Sequence, residues 1–117
     1  MRRGLLATAL ALFLLAHTHA EDVPLGTKID TLKFKDIRYL TRKIEDFGSP
    51  KAYVLAFVTN SCPLAQRYTP KVADLEKEFG PKGVQFIFVN TGGADSIMDM
   101  AQQMLDYKVD VPVVKDV

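Results

Sequence analysis

The chain has 117 residues, 48% of them hydrophobic and 25% charged, with 15 Lys and Arg against 14 Asp and Glu and a formal net charge of +1. Without a basic run, a near-neutral chain has no electrostatic footprint for nucleic acid or an anionic membrane surface, and the length suits one small domain. Cys62 is the one cysteine, so no disulfide closes within the chain and the sulfur is either free or paired with another molecule.

The first twenty residues read as a targeting segment. Met1-Arg2-Arg3 is a short cationic start, Leu5 to Ala16 is apolar, and Thr18-His19-Ala20 offers small residues at a cleavage site before Glu21. The apolar stretch falls short of the ~20 residues that a membrane span needs. A secreted or periplasmic domain over 21–117 is therefore expected, with no membrane partner after cleavage. Cleavage removes His17 and His19 together with Arg2 and Arg3, turning the charge from +1 to −1. Loss of both histidines excludes a Cys-His couple, a Ser-His-Asp triad and a histidine-bearing metal site, and neither a metal nor a cofactor is expected.

Glu21 to Lys28 reads as an extended lead-in, and Ile29 to Lys35 alternates weakly as a strand with Ile29, Leu32 and Phe34 on its apolar side. Gly48-Ser49-Pro50 marks a turn. Tyr53 to Val58 is continuously apolar, which predicts a central strand covered on both faces. From Pro63 the period becomes helical, with Leu64, Tyr68, Val72, Leu75 and Phe79 on one face and Gly80-Pro81 as the stop. Pro63 suits the first turn, whereas Pro70 removes a backbone hydrogen bond and predicts a kink. Val84 to Val89 predicts a second buried strand, left through Asn90-Thr91-Gly92-Gly93. Asp95 or Ser96 then caps a helix with Ile97, Met100, Ala101, Met104 and Leu105 on its apolar side, and Val109 to Val114 closes the chain as a strand interrupted by Pro112. Alternating strands and helices predict an α/β domain with central parallel strands and right-handed crossovers, whose chemistry collects at the carboxyl ends of the strands.

Cys62 and the Thr91-Gly92-Gly93 loop both fall at that edge. At a strand's exit and a helix's entrance a sulfur meets unpaired N–H groups and the positive end of the helix dipole, which favour thiolate over thiol. Thr59, three residues earlier, is either a β-branched strand residue or a hydroxyl placed to bond the thiolate or an incoming oxygen. Asn60 and Ser61 read as loop and cap residues, and Thr91-Gly92-Gly93 lacks the spacing of a phosphate loop and reads as a flexible turn. Met98, Met100 and Met104 read as core filler, and Asp74, Glu76 and Glu78 as a solvated face.

The apolar strand running into Thr59-x-x-Cys62-Pro63, the proline eight residues on at Pro70, the Phe86 to Asn90 strand and the Val111-Pro112-Val113-Val114-Lys115-Asp116 stretch together resemble the redoxin branch of the thioredoxin-like superfamily. Within it they are similar to peroxiredoxin-type domains of alkyl hydroperoxide reductases and thiol-specific antioxidants. The resemblance implies a thioredoxin-like fold whose final hairpin and helix are missing after Asp116. It implies a thiol-dependent oxidoreductase in which Cys62 attacks a hydroperoxide or a disulfide, Thr59 places the substrate oxygen, the backbone at Ser61, Pro63 and Leu64 stabilises charge, and an external thiol restores the sulfur. This chain departs from the pattern at Ala65, where a thioredoxin has its second cysteine, and at Leu55, where a peroxiredoxin has proline; a late-strand arginine is also lacking. A non-catalytic binding module, or a fragment of a larger secreted protein, is the competing expectation.

Overall fold

The computed structural model describes residues 23–29 and 31–116. The expected leader over residues 1–20 and its cleavage point at Glu21 lie outside them. Five strands form one sheet: β1 (Lys33–Asp36), β2 (Thr41–Lys43), β3 (Ala52–Val58), β4 (Val84–Asn90) and β5 (Val113–Lys115), in the order β2-β1-β5-β4-β3. β3, β4 and β5 are parallel, while β1 runs antiparallel to both β5 and β2. Two helices, α1 (Pro63–Phe79) and α2 (Ile97–Asp106), make the β3-to-β4 and β4-to-β5 crossovers. This is the expected α/β architecture.

Because the two crossovers step the same way along the sheet, their common handedness puts both helices on one face. There Ala73 of α1 and Ile97, Met100 and Met104 of α2 bury against Phe86 and Phe88 of β4. On the opposite face Ile87, Val89, Val114 and Phe34 are covered by Leu32 and by Ile44 and Phe47 of a short 3-10 turn. Apolar on both faces, β4 is the most buried strand, lying between β5 and the edge strand β3, and from Phe86 to Asn90 every residue is buried.

Two expectations need correction. β3 is an edge strand among the described residues, paired only with β4, and Phe57 is 67% exposed; its continuous apolar run comes from lying beside β4, not from central placement. Along α1 the buried residues are Thr69 and Ala73, whereas Leu64, Tyr68 and Leu75 are exposed. The helix sits close to the sheet through its small side chains; Val72 and Phe79 pack half-buried against the same core, while Leu64, Tyr68 and Leu75 lie along the margin. α1 runs on through Pro70. The lost bond falls on Gln66, and one turn earlier the Thr69 hydroxyl donates to the Ala65 carbonyl at 2.8 Å.

Elsewhere the expected elements hold with shifted bounds. The first strand starts at Lys33, leaving Ile29 exposed, and in α2 Leu105 faces solvent while Ile97, Met100 and Met104 are buried. Ser96, not Asp95, caps α2, its hydroxyl accepting from the Asp99 N–H at 3.0 Å. Among the described residues no helix is long and apolar enough to cross a membrane.

Candidate functional site

β3 delivers the chain to the carboxyl edge of the sheet, and a four-residue turn, Thr59 to Cys62, carries it into α1. Cys62 donates its N–H to the Thr59 carbonyl at 3.4 Å. It is the N-cap residue of α1, extended at φ −83° and ψ 112°, with Pro63 following at the first helical position. Its carbonyl accepts the Gln66 N–H at 3.0 Å as the first bond of the helix. The N–H groups of Leu64 and Ala65 precede that bond and have no intrahelical partner, which is the general condition at a helix start. An anionic sulfur there meets those donors and the positive end of the dipole.

The half-buried Cys62 is a free thiol. It lines a largely apolar cleft of about 290 Å³ together with Phe57, Val58, Leu64, Ala65, Tyr68 and Thr69. Of the residues singled out in the sequence, Leu64 thus shares the cleft with Cys62. Thr59 is half-buried and joined to Cys62 through the backbone of the turn, but it does not line the cleft, and its hydroxyl makes no hydrogen bond among the described residues. Ser61 and Pro63 are exposed on the turn and at the helix start, and neither lines the cleft.

Sequence reasoning missed what lies beneath this turn. Asp95 Oδ2 accepts the Asn60 N–H at 2.7 Å and Asn90 Nδ2 at 2.8 Å. Asn90 ends β4 fully buried; its Nδ2 also donates to Asn60 Oδ1 at 3.1 Å, and its Oδ1 accepts the Gly92 N–H at 3.0 Å and Lys115 Nζ at 3.2 Å. Both amide hydrogens and both oxygen lone pairs are used, so the orientation of the Asn90 side chain is fixed by its partners. Lys115 Nζ also donates to the Asp95 carbonyl at 2.8 Å and to the Gly92 carbonyl. The Asn60 carbonyl accepts Gln66 Nε2 at 2.7 Å and Gln103 Nε2 at 3.2 Å. The Asn60 N–H bond is the main reason that the Asp95 carboxyl stays below its ordinary value; burial opposes it, while Asn90 and the Lys115 charge assist. The only sequence signal for this network is composition: Asn, Asp and Lys recur at successive strand exits.

A second hollow of about 540 Å³ lies between the β1–β2 hairpin and the α2–β5 connection, lined by Asp36, Arg42, Met104 and Val111 among others, and shares no residue with the Cys62 cleft. Within it Asp36 lies 3.3 Å from Arg38 and 3.5 Å from Arg42. Among the described residues no group of three or more His, Cys, Asp or Glu side chains is arranged to hold a metal ion.

A lone cysteine capping a helix after a parallel strand is shared by several thiol families, and the match of residues 25–117 to the AhpC/TSA family decides between them. The chain belongs to the AhpC/TSA family. It is thereby a redoxin of the thioredoxin-like class. No protein of curated function matches the sequence. Among solved structures, a hypothetical protein from Sinorhizobium meliloti 1021 is similar at 19% identity and a TM-score of 0.72, over 82% of this chain and 55% of its own. Peroxidoxin BcpB from Mycobacterium tuberculosis is similar at 21% identity and a TM-score of 0.67, over 78% of this chain and 58% of its own. A secreted disulfide oxidoreductase of Mycobacterium tuberculosis is similar at 16% identity and a TM-score of 0.60, over 74% and 60%. These likenesses establish the thioredoxin-like fold of this AhpC/TSA chain, which spans a little over half the length of the solved structures it matches.

Proposed function

We propose that the chain is an exported redoxin domain, over residues 21–117, that reduces hydroperoxides or exchanges disulfides through Cys62 alone. The observation that carries this reading is the position of Cys62 as N-cap of α1, half-buried in an apolar cleft beside helix-start N–H groups. With a hydroperoxide, the Cys62 thiolate attacks the terminal oxygen; an S–O bond forms, the O–O bond breaks, and the leaving alkoxide takes up a proton to give an alcohol and Cys62 sulfenic acid. An external thiol then condenses with the sulfenic acid, releasing water, and a second thiol cleaves the mixed disulfide to restore Cys62. With a disulfide substrate the same thiolate displaces one sulfur as a thiolate and again forms a mixed disulfide. Ala65 stands where a Cys-x-x-Cys pair would have its second cysteine, and in this reading an external thiol is the reductant. Thr59 places the substrate oxygen at the turn, the backbone N–H groups of Ser61 and Leu64 hold developing charge, and Pro63, which has no N–H, orders the first turn of α1. Export is supported by the cationic, apolar and small-residue sequence of residues 1–20.

The test is to trap peroxide-treated protein with dimedone and locate the adduct by mass. An adduct on Cys62, absent in Cys62→Ser and suppressed by added thiol, is expected. If Cys62 takes up neither dimedone after peroxide nor a mixed disulfide from a small aromatic disulfide, the domain is a thioredoxin-like binding module, a reading that the exposed apolar margin of Phe57, Leu64 and Tyr68 favours.

A further inference from the structure

The backbone of the turn that presents Cys62 gives it little support of its own, and side chains hold Asn60 instead, Gln66 and Gln103 at its carbonyl and Asn90 at its Oδ1. β3 ends at Val58, so Asn60 has no ladder partner, and the Cys62-to-Thr59 backbone contact is long at 3.4 Å. Its strongest restraint comes from a residue 35 positions away: the Asp95 carboxylate accepting the Asn60 N–H, a charge-assisted bond at 2.7 Å. That carboxylate is itself set from two sides. Fully buried Asn90 donates to the same oxygen, and Lys115 of β5 clamps the carbonyls of Gly92 and Asp95, which flank it in the loop. Room for the carboxylate exists because residue 92 is glycine; a Cβ there would lie 2.2 Å from Asp95 Oδ2.

We propose that Asp95, buttressed by Asn90 and Lys115, is a positioning residue for Cys62, fixing the Asn60 peptide and with it the orientation in which the turn offers the thiol. This rests on the reading of Cys62 as the reactive group and adds to it the part that holds the sulfur in place. Asp95 acts through the backbone and touches neither thiol nor substrate. Its role is geometric, so an oxygen at the same place suffices: Asp95→Asn keeps an acceptor for the Asn60 N–H, and Asp95→Ala removes it.

The experiment follows three readouts on the folded chain: hydrogen exchange of the Asn60 amide, the rate of Cys62 alkylation by iodoacetamide, and the rate of Cys62 oxidation by hydrogen peroxide. Losing a bond to a charged acceptor is expected to speed Asn60 exchange roughly tenfold in Asp95→Ala. Misplacing the thiol is expected to slow both Cys62 reactions by about tenfold. Asp95→Asn should stay within about threefold of the parent on all three, since the geometry survives. Asp36→Asn, which weakens the distant β1–β2 hairpin, should lower stability without altering the Cys62 rates. If Asp95→Ala does not fold, Lys115→Met, which leaves the carboxylate but removes its clamp, should show the same directions. Parental Asn60 exchange and Cys62 rates in a folded Asp95→Ala or Lys115→Met overturn the proposal, as does an equal loss of rate in Asp36→Asn. A parental Cys62 inert to peroxide and disulfide, with alkylation and Asn60 exchange still responding to Asp95→Ala, instead sinks the redoxin reading and leaves the positioning role standing.

Discussion

Two half-buried or buried carboxylates anchor turns in this chain, and they set its behaviour in acid. At Asp36 burial pushes the carboxyl up, but the N–H groups of Leu40 and Arg38 and the Arg38 side chain outweigh it and hold the group below its ordinary value. Asp95 is held down chiefly by the Asn60 N–H. Since both are lower in the folded than in the unfolded chain, their stabilisation is complete above the unfolded value of about 3.9 and is lost as pH falls below it, the unfolded chain taking up protons first. Urea midpoints measured from pH 6 down to pH 2 should therefore fall below about pH 4, less steeply in Asp36→Asn and Asp95→Asn. At the cysteine, Thr59→Val should slow peroxide oxidation more than alkylation if the hydroxyl serves the substrate oxygen, and stopped-flow rates for both reactions check it. Cys62 itself was legible in the sequence because strand, sulfur, proline and helix follow one another in the chain. Asp95 was not, because its bond to Asn60 depends on two loops that only the sheet brings together.

At the level of elements, the order of strands and helices was legible because each carries its own period, whereas the choice of face was not. Of the α1 face expected from Leu64, Tyr68, Val72, Leu75 and Phe79, Val72 and Phe79 pack against the core while Leu64, Tyr68 and Leu75 stay at the margin, and the buried contacts with the sheet are made by Thr69 and Ala73. Size, not hydrophobicity, decides there, because Phe86 and Phe88 fill the space beneath. Ala73→Leu should accordingly cost about 1–3 kcal/mol through overpacking, while Leu75→Ala should fall within about 0.5 kcal/mol of the parent. Ser96→Ala should cost about 1 kcal/mol by removing the cap of α2. Chemical denaturation with an unchanged m-value checks all three. The same physics hid the edge position of β3: a strand beside a strand as apolar as β4 has the composition of a central one.

At the scale of the whole molecule, β3 presents a seven-residue edge without a partner among the described residues, with Val54 and Phe57 exposed along it and Leu64 and Tyr68 beside it on α1. Edges of this kind template association. Sedimentation velocity should reveal self-association that rises with concentration, and Val54→Lys, outside the Cys62 cleft, should suppress it without changing the Cys62 rates by more than about twofold, because a charge on an edge strand opposes pairing. The network under Cys62 also imposes an order in time. Its members come from β4, from the loop before α2 and from β5, and Lys115 is the last to leave the ribosome. Contacts separated by this much chain form late, after the loops between them have closed. A nascent chain that has not yet added Lys115 lacks the clamp on the Gly92 and Asp95 carbonyls, so the support under the thiol acquires its final setting only when the fifth strand docks.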